Sequence, residues 1–169
     1  MLNRFGPLVM IGLGAILLLS ATAYWIGAQA RPTPAALAVP ETLAGVKRAG
    51  ITIGPDAVAE MVRLHGKRLP LTSAAMASYG DSSAALWVSG AQSTESAAEQ
   101  VRAMTEKIAE GRSPFQLTDT RQAAGRTVYA LTGMGQQHFY FQSGNLVLWL
   151  SADPSVAEDV LGDVMVFYP

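Results

Sequence analysis

Leu86-Trp87-Val88-Ser89 recurs as Leu148-Trp149-Leu150-Ser151, and Ser96-Ala97-Ala98-Glu99-Gln100-Val101 recurs as Ser155-Val156-Ala157-Glu158-Asp159-Val160. The two four-residue blocks have strand character and the two six-residue blocks have helical character, so each copy reads as a hairpin followed by a helix. In the first copy Leu71 to Tyr79 and Ala84 to Ala91 flank Gly80-Asp81-Ser82-Ser83, which makes a hairpin. A helix is expected from Ser93 or Thr94 to Gly111, with a hydroxyl cap, a closing glycine and apolar Ala97, Val101, Met104 and Ile108 on one face. Strands follow at Phe115 to Arg121, Thr127 to Thr132, Gln137 to Gln142 and Leu146 to Ser151, and a last helix runs from near Pro154 to about Phe167. Ala124-Gly125 and Ser143-Gly144-Asn145 are the turns between them.

The expected fold class is therefore α+β: an antiparallel sheet covered by helices, built as a duplicated β-β-α unit preceded by one helix. One such unit cannot bury its own apolar face, whereas two side by side make a continuous sheet. Chance similarity of two short blocks would leave the order of elements, and so the class, unchanged. The preceding helix opens at Gly54-Pro55-Asp56 and closes at His65-Gly66.

Leu8 to Ile26 carries no charge. Its nineteen residues would span roughly 28 Å as a helix, close to the ~30 Å hydrocarbon core. Residues 1–30 are read as a transmembrane signal-anchor inserted in the lipid bilayer, with Tyr24-Trp25 at the interface. Ala28-Gln29-Ala30 also fits a signal-peptide cleavage site, and cleavage after Ala30 would release a secreted domain. Arg4 on one side and Arg31, Lys47 and Arg48 on the other leave the charge rule slightly against export. The short N-terminal tail and small-residue exit nevertheless place the C-terminal domain outside the cytoplasm of a single-pass membrane protein. Residues 31–44, with Pro32, Pro34 and Pro40 among alanines, are expected to form a Pro/Ala-rich linker, and residues 45–169 one extracytoplasmic domain.

A net charge of −1 argues against nucleic-acid binding, and the lack of cysteine excludes disulfides, thiolate metal sites and lipoprotein anchoring. Arg63, Lys67 and Arg68 form a local basic contact patch at the end of the first domain helix, where they also complement its dipole. In His138-Phe139-Tyr140-Phe141 alternate side chains share a face. His138 and Tyr140, with Tyr129 and Tyr79, could line a groove for a small apolar ligand, or these aromatics could simply fill the core. Met134 and His138 are the candidate soft ligands for Cu(I), with core filling as the plainer role for the other methionines.

Gly133-Met134-Gly135 imitates a dinucleotide fingerprint, but the following residues are strand-like, so these glycines are expected to make a bend or bulge. No catalytic residue and no cofactor are expected. Asp153, Glu158 and Asp159 suit the first turn of a helix without any chemistry. The C-terminal hairpin and helix resemble domains carried outside the membrane by anti-sigma regulators and small exported proteins, without a motif that assigns a family. An anti-sigma factor would need a folded cytoplasmic domain, for which Met1 to Gly6 leaves no room. The expected function is a membrane-anchored interaction or accessory domain with an envelope protein partner, the alternative being a ligand- or metal-binding sensory module of the envelope.

Overall fold

The computed structural model of the chain describes residues 13–22, 24, 35–111 and 113–169. The chain divides into two units, Met1–Pro32 and Thr33–Pro169. In the first, residues 13–22 (α1) and 24 are helical. Ser20 and Thr22 donate their hydroxyls to the carbonyls of Ile16 and Leu18 at 2.8 and 2.7 Å, which satisfies both polar groups within the helix. Among the described residues no helix is long and apolar enough to cross a membrane. The remainder of the Leu8 to Ile26 run lies outside the described residues.

The second unit is α+β. Its strands are β1 (Ala35–Ala36), β2 (Thr42–Leu43), β3 (Val46–Ile53), β4 (Ser73–Tyr79), β5 (Ala84–Gly90), β6 (Gln116–Ala123), β7 (Arg126–Gly133), β8 (Gln136–Ser143) and β9 (Leu146–Ala152). Its helices are α2 (Gly54–His65), α3 (Thr94–Ala109) and α4 (Ala157–Phe167). The sheet runs β2-β3-β4-β5-β9-β8-β7-β6, antiparallel throughout, with β1 added in parallel to the start of β4.

Paired residues share a face, so the register sorts the core into two sides. Met76, Trp87, Trp149, Tyr140 and Tyr129 form one cross-strand row. This face is covered by α2, through Ala57 and Met61, and by α3, through Ala97 and Val101. Ala77, Leu86, Leu150, Phe139 and Ala130 form the corresponding row on the other face. Val160, Leu161 and Val164 of α4 pack there, together with Val39 and Leu43. This unit therefore has three layers, with the sheet buried on both sides, which explains why β9 reads as a nearly continuous apolar run rather than an alternating one.

The two recurring blocks meet directly. β5 and β9 are neighbours, and Trp87 stands opposite Trp149. A two-fold axis normal to the sheet at that point carries one strand onto the other and would keep both following helices on one face. Instead α3 lies on the tryptophan face and α4 on the opposite one. Ser96 is inside α3, whereas Ser155 lies in the turn before α4. The correspondence thus covers the strands and stops before the helices.

Local signals set most boundaries. Ser93 caps α3 by accepting from the Ser96 N–H at 3.2 Å, and Gly66 ends α2 in the left-handed region at φ 63°. Three two-residue hairpin turns have positive φ at both positions: Ala44-Gly45, Ala124-Gly125 and Met134-Gly135. That is the turn whose twist matches the flanking strands. Gly135 is therefore a turn residue rather than a bulge. Gly133 is required for another reason, since a Cβ there would sit 2.6 Å from Phe115 Cδ1.

Residues 31–44 require a correction over their described part. Leu43 is fully buried, Val39 is nearly so, and β1 and β2 belong to the sheet, so this stretch is part of the folded body rather than a spacer. Prolines discourage regular structure, but they do not prevent an extended segment from packing. Tyr79 and Tyr168 pin it in place, donating their hydroxyls to the carbonyls of Pro40 at 2.9 Å and Ala38 at 2.7 Å.

Candidate functional site

Three of the four groove residues share the tryptophan face. Tyr129 stacks on Tyr140 with ring centroids 4.6 Å apart and planes 6° from parallel, and Tyr140 stacks on Trp149 at 5.5 Å and 7°. Thr105 of α3 shares a hydrogen bond with the Tyr140 hydroxyl at 2.9 Å, which locks the middle ring beneath the helix. Burial holds the Tyr140 phenol above its ordinary pKa. Tyr129, at the outer end of the stack, is half-buried.

Beside Tyr129 a cavity of about 600 Å³ opens between α3 and the β7-β8 strands. Val101, Arg102, Thr105 and Glu106 form its helical wall, and Arg126, Thr127 and Gln142 its strand wall. Its cations are already engaged. Arg102 bridges Glu106 at 2.8 Å, while Arg126 donates to the Met165 carbonyl at 3.0 Å and to the Tyr168 carbonyl. The remaining accessible surface is an aromatic ring bordered by hydroxyl and amide groups, suited to a planar ligand of low charge.

His138 lies on the same face but outside this cavity. It is 5% exposed and walled by Phe115 at 4.6 Å and Trp149 at 5.8 Å. Its Nε2 lies 3.0 Å from the Gly133 carbonyl, which can only accept, so Nε2 is the donor. Burial depresses its pKa, only partly offset by that hydrogen bond. Nδ1 is buried and has no hydrogen-bond partner among the described residues. Met134, named with His138 for Cu(I), is 78% exposed at the tip of the β7-β8 turn. Among the described residues no group of three His, Cys, Asp or Glu side chains could hold a metal ion.

Tyr79 does not join the groove. It points to the opposite face, fully buried in the α4 core. Its phenol is pushed up to about 12 by burial, partly opposed by the nearby Arg48 guanidinium. Alternation within β4 determines this placement, but Tyr79 could be assigned a face only once its cross-strand partner Ala84 was known. Arg63, Lys67 and Arg68 are all exposed at the end of α2, and Arg63 is bound to Glu60 at 2.6 Å.

Sequence reasoning missed Thr105, Phe115 and Arg126. The first falls on the α3 face flanking Val101 and could have been found by extending the helical period. The other two act across turns and had no local signal.

The two edges of the sheet differ in chemistry. β6 carries Asp119 and Arg121, has a register shift at Leu117/Asp119, and is tied to α4 by an Arg121–Glu158 ion pair. The charges and the tie to α4 discourage strand addition, whereas a register shift does not distinguish the edges, since β3 has one of its own between Arg48 and Gly50. On the outer side of β3, β2 pairs only with Val46 and Lys47, and the Arg48 N–H reaches the Glu41 carbonyl at 2.8 Å. Beyond that point Ala49-Gly50-Ile51-Thr52-Ile53 is uncharged and has no strand on its outer edge among the described residues. Ile51 and Ile53 are 47% and 43% exposed. No family model, curated protein or solved structure matches this chain.

Proposed function

We propose that the chain is a membrane-tethered, non-catalytic interaction domain, held by Leu8 to Ile26 on the extracytoplasmic side, that engages another polypeptide by strand addition. The uncharged open edge of β3 is the observation that carries this reading. An edge strand with no neighbour on its outer side among the described residues is a template for pairing, and Ile51, Thr52 and Ile53 lack the charges that β6 carries on its edge. The side chains with chemical potential are committed elsewhere: His138 to the Gly133 carbonyl, Tyr79 to Pro40, and Arg126 to the end of α4.

Co-purification from detergent-solubilised membranes tests the reading. A stoichiometric polypeptide is expected with the wild-type chain and is expected to be lost with Ile51→Lys, while Thr120→Lys on β6 retains it. A partner held equally by all three would sink the proposal. Protease sensitivity of the C-terminus in intact spheroplasts checks the assigned side of the membrane, and protection there would reverse it.

The cavity beside Tyr129 favours a second reading, a sensory module for a planar apolar ligand. It requires that such a ligand quench Tyr and Trp fluorescence through the stack and that Tyr129→Ala abolish the effect. Quenching unchanged in that variant would dismiss it.

A further inference from the structure

We infer that the end of the sheet at which the chain enters the second unit rests on the bilayer itself, with Val166 and Phe167 of α4 set into its headgroup region. The inference rests on the membrane tether assigned above and goes beyond it, because it gives the domain a second contact with the same membrane. Register places that end. Ala35 pairs with Ser73, Ser73 with Gly90, Gly90 with Leu146 and Leu146 with Ser143. The Ser143 hydroxyl lies 3.2 Å from the Tyr168 carbonyl, and Arg126, at the start of β7, donates to the same carbonyl. The last turn of α4 therefore stands at the end where Ala35 enters. The Tyr168 hydroxyl closes the link by donating to the Ala38 carbonyl at 2.7 Å.

Two properties suit this end to lipid. Val166 and Phe167 are 83% and 42% exposed, although the other apolar residues of α4 are buried. Residues 71–73, 91–93, 124–125 and 143–145, which form the loops there, carry no charge, whereas the loops at the other end carry Asp81 and Asp153. The acids that flank it, Asp56 and Glu95, belong to the first turns of α2 and α3.

The tether selects the bilayer as the occupant. Ile26 and Ala35 are nine residue steps apart, which span at most roughly 30 Å whatever path they take. β7, eight residues long, measures about 26 Å from one end of the sheet to the other. A domain standing on its opposite end would hold Ala35 about that far from the lipid and draw the tether taut. Standing on this end it needs little of that length. The tether also keeps the local concentration of lipid high, so a contact of two apolar side chains is held that a free domain would lose.

The chain contains no cysteine, so single labels can be placed. The full-length chain carrying Val166→Cys with a nitrobenzoxadiazole label is reconstituted in vesicles of phosphatidylcholine and phosphatidylglycerol. A lipid bearing a doxyl group near its headgroup is expected to quench this label several-fold more than one at Met134→Cys, which is 78% exposed at the opposite end. Phe167→Glu should return the Val166 signal to the Met134 level. Equal quenching at the two positions overturns the inference, and so does quenching that survives Phe167→Glu, because the label alone would then be entering the lipid. A Val166 label shielded from aqueous iodide but untouched by the doxyl lipid gives this end to a second copy and overturns it too. Flotation separates the two readings. A chain that rises with the vesicles after a high-salt wash keeps its tether whatever the labels report, and one that does not rise removes tether and docking together.

Discussion

Replacing Arg126 by methionine should loosen α4 from the sheet. The last turn of α4 contains no basic residue, so its carbonyl end has no cation of its own. Arg126, at the start of β7, supplies one across the turn. It donates to the Met165 carbonyl at 3.0 Å and to the Tyr168 carbonyl, and its guanidinium lies 5.4 Å from the Phe141 ring centroid. Hydrogen bonds from a charged donor are worth about 1.5–3 kcal/mol each. Methionine keeps the apolar stem over Phe141 but loses both bonds and the charge at the helix terminus. Taking the lower bound for each bond, because the carbonyls can partly rehydrate, the loss is about 3 kcal/mol. For a body of this size that corresponds to a fall in Tm of about 10 °C. Arg126→Lys should recover part of it, since an ammonium retains the charge but not the fork. Urea unfolding of the full-length chain in mild detergent, followed by tryptophan fluorescence, measures the difference. A loss below about 0.5 kcal/mol for Arg126→Met, at the level of an ordinary surface substitution, would refute the account of how α4 is held.

Two further predictions follow from buried or strained groups. His138 has a folded-state pKa below its ordinary value because of burial, so the unfolded chain binds its proton more readily. Stability should therefore fall as pH drops through about 6.5, and His138→Phe should lose less than wild type between pH 7.5 and 5.5; equal losses in urea midpoints would show that the imidazole titrates freely. Met134 occupies the left-handed region at φ 53° in a turn that favours asparagine there, so Met134→Asn should stabilise the chain by about 0.5–1 kcal/mol. An unchanged or lower unfolding midpoint would contradict that.

Residues separated by a few positions carried their own instructions. Ser93 before α3, Gly66 after α2 and Ala124-Gly125 between β6 and β7 are local devices, and the structure places each where its chemistry requires. None of β1, β2 and β3 is legible in the sequence; the longest of them, β3, escapes because Val46-Lys47-Arg48-Ala49-Gly50 interrupts the apolar pattern. Leu37 to Leu43 was misassigned because proline-rich composition describes a backbone preference and is silent about what the side chains meet.

The sequence by itself determined an α+β body with an antiparallel sheet, the hairpins and their turns, and the helix that follows each recurring Leu-Trp block, all of which depend on interactions within a few residues. Only the tertiary structure decided that Trp87 would face Trp149, that α3 and α4 would cover opposite faces, and that Tyr79 would leave the company of Tyr129, His138 and Tyr140. It also left one edge charged and tied to α4 and the other uncharged from Ala49 to Ile53. These outcomes depend on which strands become neighbours, and a one-residue change of register would reverse every face assignment. Pairing between segments far apart in the chain selects that register, and no local pattern encodes it.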